Sequence, residues 1–200
     1  MLVLDLSGVV FRFDPRARLR ALAAACDLAP QVVRARVWES GLSAGWDSGS
    51  RSSAAEVRAD LRATIPYRGR DGDLDEIWNL AFPPDPEAIA LLPARRDPNL
   101  VALTNNGPLE EEVLTRRHPE VFAAFGARWF THRLGSCKPD PRTYRELEAR
   151  IGAGPREITF LDDSPANVEA ARAGGWRAVL HRSREDLARV LREHALEGVG

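Results

Sequence analysis

Five short apolar runs, each ending at a polar residue, constrain this chain more than any other feature. They are Leu2–Leu4 before Asp5, Leu100–Leu103 before Thr104, Ala127–Phe130 before Thr131, Ile158–Leu161 before Asp162 and Trp176–Leu180 before His181. The last four alternate with the helix-like stretches Leu109–Arg117, Pro141–Ile151 and Ala166–Ala173. Short apolar runs separated by helical segments read as βαβ units, with a parallel sheet buried on both faces. Right-handed crossovers put all strand C-termini on one edge, which is where open α/β sheets bind ligands. The helix punctuation agrees. Asp140 before Pro141 is an N-cap followed by proline, Pro108 opens the preceding helix, and Gly174–Gly175 supply a left-handed C-terminal cap.

Between the first two strands lie roughly 85 residues, far beyond an ordinary loop of ~4–6 residues. Arg16–Cys26, Gln31–Ser40, Ser53–Ala63 and Leu74–Leu80 read as helices, Gly41–Ser52 as a Gly/Ser-rich connection and Phe82–Pro86 as a proline-rich exit. The expected organisation is a core made of residues 1–13 and 85–200, with a helical insertion over residues 14–84. Leu19, Val33, Val57 and Ile77 are expected to pack that insertion, joined by Trp38 and Trp78. Trp46, in the Gly/Ser-rich stretch, is the tryptophan expected to shape a pocket. A further helix is expected from Arg184.

Charge excludes some functions. With 28 Lys and Arg against 29 Asp and Glu the net charge is −1, without the basic excess a general nucleic-acid binder needs. No apolar run approaches the ~18–20 residues of a membrane span. The segment MLVLDLSGVVF meets an acid at Asp5 and lacks a basic n-region, so it does not read as a signal peptide, and the cytoplasm is the expected compartment. Cys26 and Cys137 read as small buried hydrophobes, not as a disulfide or a zinc site. Arg16–Arg20 and Arg182–Arg192 read as solvated helix faces, Arg12 and Asp14 as hinge charges, and His118 and His132 as structural.

Chemistry concentrates where the runs end. Asp5, closing the first run, suits a nucleophile or a metal ligand. Thr104, followed by backbone amides at a helix start, suits an anion. Lys138 in the next loop suits charge neutralisation of a phosphoryl group, and the adjacent acids Asp162 and Asp163 suit Mg²⁺.

The motifs VLDLSGVV (Val3–Val10), VALTNN (Val101–Asn106), CKPDPRTY (Cys137–Tyr144) and ITFLDDSPANVEAARAGGWRAV (Ile158–Val179) resemble those of the haloacid dehalogenase-like hydrolase superfamily. The resemblance implies a Rossmann-like, doubly wound α/β core, with the insertion as a helical cap. It implies that Asp5 forms an aspartyl intermediate, that Thr104 and Asn105 bind phosphoryl oxygens, and that Lys138 balances charge. Asp5, the backbone carbonyl of Ser7, Asp162 and Asp163 would hold Mg²⁺, with Ser7 also facing the phosphate. The chain departs from the family at Ser7, where phosphatases usually carry an acid that protonates the leaving group and activates water. General acid–base help is worth ~10²–10⁴-fold. Three readings follow: a Mg²⁺-dependent phosphatase of a small phosphorylated metabolite with a good leaving group; a 2-haloacid dehalogenase using Asp5 without metal on a halogenated metabolite; or a non-catalytic sensor of a phosphorylated metabolite.

Overall fold

In the shortest strand of the sheet, Leu2 and Leu4 enter one apolar layer and Val3 the other, so even three residues are buried on both faces. The computed structural model describes residues 1–197. Strand β1 (Leu2–Leu4) is followed by helices α1 (Pro15–Ala25), α2 (Pro30–Arg34), α3 (Leu42–Asp47), α4 (Ala54–Thr64) and α5 (Asp71–Asn79). Then come α6 (Pro86–Ile89), β2 (Asp97–Thr104), α7 (Pro108–Arg117), α8 (Pro119–Phe122), β3 (Phe125–Phe130), α9 (Pro141–Ile151), β4 (Thr159–Asp162), α10 (Pro165–Ala173), β5 (Arg177–Leu180) and α11 (Arg184–Glu197).

The strands form one parallel sheet in the order β3-β2-β1-β4-β5. On one face, Leu2, Leu4, Leu100 and Ala102 pack with Ala88 of α6, Val121 of α8 and Leu187 and Val190 of α11. On the other, Val3, Val101, Leu103 and Phe160 pack with Leu147 of α9 and Val168 of α10. From central β1 the chain builds β2 and β3 to one side, then crosses back to β4 and β5 on the other. β1 and β4 therefore flank the topological switch point, where the crevice of a doubly wound sheet opens. The expected strands and core helices are all present, with β2 and β3 starting a few residues earlier than their apolar runs.

The insertion enters and leaves through a two-stranded neck. Arg12 N donates to Pro83 O at 2.8 Å, Asp14 N to Ala81 O at 2.9 Å and Asp85 N to Val10 O at 3.1 Å. Its apolar centre contains Leu22, Val33, Val57, Leu61, Leu74, Trp46 and Trp78, with Leu19, Trp38 and Ile77 half-buried against it. Leu109 and Val113 of α7 belong to the same cluster, so the insertion and the core share apolar surface. Asp14 is the N-cap of α1, its carboxylate accepting from Arg16 N and Ala17 N at 3.1 Å each.

Four expectations change. The segment 41–52 is not all connection: Leu42–Asp47 is helical, because Leu42 and Trp46, four residues apart, turn the same face inward. Trp46 belongs to the insertion's apolar centre. It is 1% exposed, and its Nε1 donates to Asp60 at 2.9 Å. Arg18 leaves the solvated face expected of Arg16–Arg20 and is only 4% exposed. At the end of α10, Gly175 alone has positive φ (+91°), while Gly174 stays right-handed. Cys26 and Cys137 are free thiols, buried and half-buried. Among the described residues no helix is long and apolar enough to cross a membrane.

Candidate active site

The ends of β1 and β4 and the loop after β3 meet at the switch point. Asp5 directly follows β1, its N–H donating to Leu161 O at 2.9 Å, and its side chain is almost wholly buried. Lys138 reaches it from the loop between β3 and α9. The Lys138 ammonium lies 3.0 Å from Asp5 Oδ1 and 2.7 Å from Asp162 Oδ2, and donates to Leu103 O at 2.9 Å. Lysine, with three donors and no acceptor, is fully used by these contacts.

Burial sets the electrostatics. Loss of water pushes the Asp5 carboxyl up to about 7, with Lys138 opposing the rise and Asp162 adding to it. Burial alone would lower the Lys138 ammonium, but Asp5 and Asp162 outweigh it and hold Lys138 above the usual lysine range. Burial and the neighbouring Asp162 also raise Asp163.

Asp5, Asp162 and Asp163 each present a carboxylate oxygen, all within 4.8 Å of one another. The two β4 acids differ. Asp162 is fully buried and takes four hydrogen bonds: Ser164 N at 2.8 Å and Asn167 Nδ2 at 3.0 Å on Oδ1, Asn167 Nδ2 at 3.1 Å and Lys138 Nζ at 2.7 Å on Oδ2. Asp163 is exposed and leans over the loop after Asp5. Gly8, at φ +82°, makes that approach possible, since a Cβ there would run into the Asp163 carboxylate.

At the end of β2, Thr104 is 1% exposed and its hydroxyl accepts from Asn106 Nδ2 at 2.7 Å. The Asn105 side chain is spent on the Lys138 backbone, donating to its carbonyl at 2.7 Å and accepting its N–H at 2.9 Å. Asn105 thus fixes the lysine loop with its side chain. Ser7 is half-buried in the turn after Asp5, bridged to Phe11, with Gly8 N donating to Phe11 O at 2.6 Å. The switch point brings Asp5, Lys138, Asp162 and Asp163 together, and Thr104 and Asn105 close the β2 side. Sequence reasoning passed over Asn106 and Asn167. Both lie inside the quoted motifs, and an amide two or five residues from a strand-end polar group is the signal that marks them.

A family model described as haloacid dehalogenase-like hydrolase matches residues 2–175. The chain is 35% identical over 102 residues to a phosphoserine phosphatase of Thermus thermophilus, a match covering 49% of this chain and 40% of that protein. It is 48% identical over 42 residues to an enolase-phosphatase of Streptomyces avermitilis, covering 21% and 18%. These matched segments span less than half of either relative. A solved structure of a HAD family enzyme from Bacteroides thetaiotaomicron superimposes with TM-score 0.77 at 19% identity, over 94% of this chain and 96% of that one. The same enzyme solved with magnesium and inorganic phosphate gives TM-score 0.72 at 19% identity, over 90% and 93%. A parallel sheet of this order, with its acids gathered at the switch point, and a family match running from β1 to the end of α10 have one meaning: the chain belongs to the haloacid dehalogenase-like hydrolase family.

Proposed function

We propose that this protein is a Mg²⁺-dependent phosphatase acting on a small phosphorylated metabolite, with Asp5 as nucleophile and the helical insertion 14–84 as a cap over the site. The observation that carries this reading is the convergence of Asp5, Asp162 and Asp163 oxygens within 4.8 Å, with Lys138 bridging two of them. An all-oxygen set of carboxylates suits a hard cation such as Mg²⁺. Asp162 already accepts four hydrogen bonds, so Asp5, Asp163 and the Ser7 carbonyl are the groups that would hold the ion directly. Asp162 acts behind them, fixing Lys138. When bound, the cation supplies positive charge against the phosphoryl group and Asp5. The phosphatases among the relatives, and the related enzyme solved with magnesium and phosphate, support the same reading.

In this reading the Asp5 carboxylate attacks phosphorus, the ester P–O bond breaks, and the leaving oxygen takes its proton from water. Thr104 and the backbone N–H of Asn105 hold the phosphoryl oxygens, and Lys138 stays charged beside them. Water then attacks the aspartyl-phosphate, releasing phosphate and restoring the carboxylate. Ser7 is a poor acid and a poor base, so neither proton transfer is assisted from that position. The preferred substrate accordingly has a good leaving group, such as an anomeric sugar phosphate or an acyl phosphate. The cytoplasm, where Cys26 and Cys137 stay reduced, is the proposed setting.

The test is phosphate release from p-nitrophenyl phosphate and a panel of sugar phosphates. Release is expected with Mg²⁺, and is expected to vanish with a chelator and in Asp5→Asn. Halide release from 2-chloropropionate without metal would replace this reading with a dehalogenase. Silence in both assays with phosphate-ester binding intact would replace it with a sensor.

A further inference from the structure

Three buried polar atoms without a hydrogen-bond partner gather around one side chain: Arg18 Nε, Trp78 Nε1 and Glu110 Oε2. The Arg18 guanidinium lies 4.6 Å from the Trp78 ring centroid and 5.7 Å from that of Phe82, and its Nη1 reaches Glu110 Oε1 at 3.2 Å. Both ion-pair side chains are 5% exposed. An orphaned buried polar group is costly, so three in one place call for a hydrogen-bond partner.

The cluster lies between the insertion and the catalytic edge. Glu110 stands in the first turn of α7, directly after the Thr104–Gly107 loop. Arg18 comes from α1 and Trp78 from α5. Phe82 packs edge-on at 6.5 Å against Phe11, in the turn that follows Asp5. Asp47, at the end of α3, accepts the Gly107 N–H and faces both Arg18 and Glu110. Glu110 thus stands within one helical turn of the loop that follows Thr104.

We propose that Arg18, Trp78 and Glu110 bind a hydroxyl of the substrate's leaving group, so that the preferred ligand is a phosphate ester of a sugar or another polyol. This rests on the phosphatase reading above. The unused groups are two N–H donors and one carboxylate acceptor. A hydroxyl, with two lone pairs and one proton, is their complement. The charges of Arg18 and Glu110 cancel, leaving nothing for a charged tail: a carboxylate would meet Glu110 and an ammonium would meet Arg18. Burial and Glu110 make Asp47 hold its proton more tightly than an ordinary aspartate, against the pull of Arg18 and the Gly107 amide. The residues are sealed, so the ligand reaches them as α1 and α5 part from α7.

Calorimetric titration of the Mg²⁺-loaded protein with non-hydrolysable phosphonates tests this. The probes are the methylene phosphonate analogue of glucose 1-phosphate, methylphosphonate, and the phosphonate analogue of phosphoserine. The sugar analogue is expected to bind at least about tenfold more tightly than methylphosphonate, a difference of about 1.4 kcal/mol. Trp78→Phe, which keeps the ring and removes the N–H, and Glu110→Gln are each expected to erase most of that advantage. Equal affinity of the sugar analogue and methylphosphonate in the wild type overturns the proposal. So does an advantage that neither folded variant moves, which would assign the cluster to internal water. Tighter binding of the phosphoserine analogue, or binding of no probe, also overturns it. If instead the sugar analogue shows the expected pattern while the wild type releases no phosphate from any ester, the phosphatase reading fails and this site stands.

Discussion

Under the proposed function the Asp5 carboxyl has two opposing demands on it: it must ionise to attack, and it is buried where ionisation is costly. Burial pushes it up to about 7 from an ordinary value of 3.8. The native protein therefore keeps a proton on Asp5 that the unfolded chain has lost between those values, and the metal-free protein is expected to lose stability as pH rises across that window. A divalent cation favours the carboxylate. The acid limb of kcat/KM is expected near pH 7 at limiting Mg²⁺ and at lower pH when Mg²⁺ saturates, as a pH–rate profile will show. A limb that ignores Mg²⁺ would remove Asp5 from the titrating role. Ser7→Asp is expected to raise turnover, by up to about 10²-fold, and to shorten the life of an aspartyl-phosphate trapped on Asp5. No change in either quantity would show that proton transfer is not limiting. Asp5, Lys138 and the acid pair were legible in the sequence because each ends an apolar run or follows one. The different surroundings of Asp162 and Asp163 were not, since they depend on hydrogen bonds from Asn167, Ser164 and Lys138. Arg18 was hidden by its exposed neighbours Arg16 and Arg20. Its relation to the fully buried Leu22, four residues on, was the one local sign of an inward face.

Helix α7 joins the two halves of the molecule, and it does so with charge as well as with Leu109 and Val113. Asp75 of α5 is 2% exposed and accepts from Arg58 Nε at 3.0 Å, Arg58 Nη2 at 2.8 Å and Arg116 Nη2 at 2.6 Å. Arg58 of α4 also reaches Glu112 of α7 at 2.6 Å, and Arg117 pairs with Glu76. Removing one partner of a buried pair leaves an uncompensated charge, at a cost of about 3–5 kcal/mol. Asp75→Asn is expected to destabilise by that order, lowering the urea midpoint without changing the m-value. A loss below about 1 kcal/mol would place Asp75 among ordinary surface pairs. The strands and most helices were legible because apolar runs, proline at helix starts and glycine at helix ends are local signals. Helix α3 was not, because its serines and glycines outweigh the Leu42–Trp46 spacing in a local reading, and burial against the insertion's apolar centre overrides them.

Taken whole, the chain places helices α1 to α5 between β1 and α6, and the segments that flank them pair where Arg12 and Asp14 meet Pro83 and Ala81. What no local pattern shows is that the insertion's apolar centre is shared: Leu109 and Val113, supplied by a helix that follows β2, complete it. Two bodies that share a core unfold together, whereas two that merely touch unfold apart. The tryptophans separate these cases, since Trp38, Trp46 and Trp78 report on the insertion and Trp129 and Trp176 on the sheet. Variants retaining only one set are expected to give coincident urea transitions by fluorescence. Leu109→Ala, which opens a cavity exactly where the halves meet, is expected to cost about 2–5 kcal/mol and to lower both transitions equally. A separate early transition of the insertion tryptophans, or a Leu109→Ala effect confined to them, would show that the insertion is held to the sheet by its neck and surface pairs alone. In that case α1 and α5 would part from α7 freely, without the loss of apolar contact that joint unfolding implies.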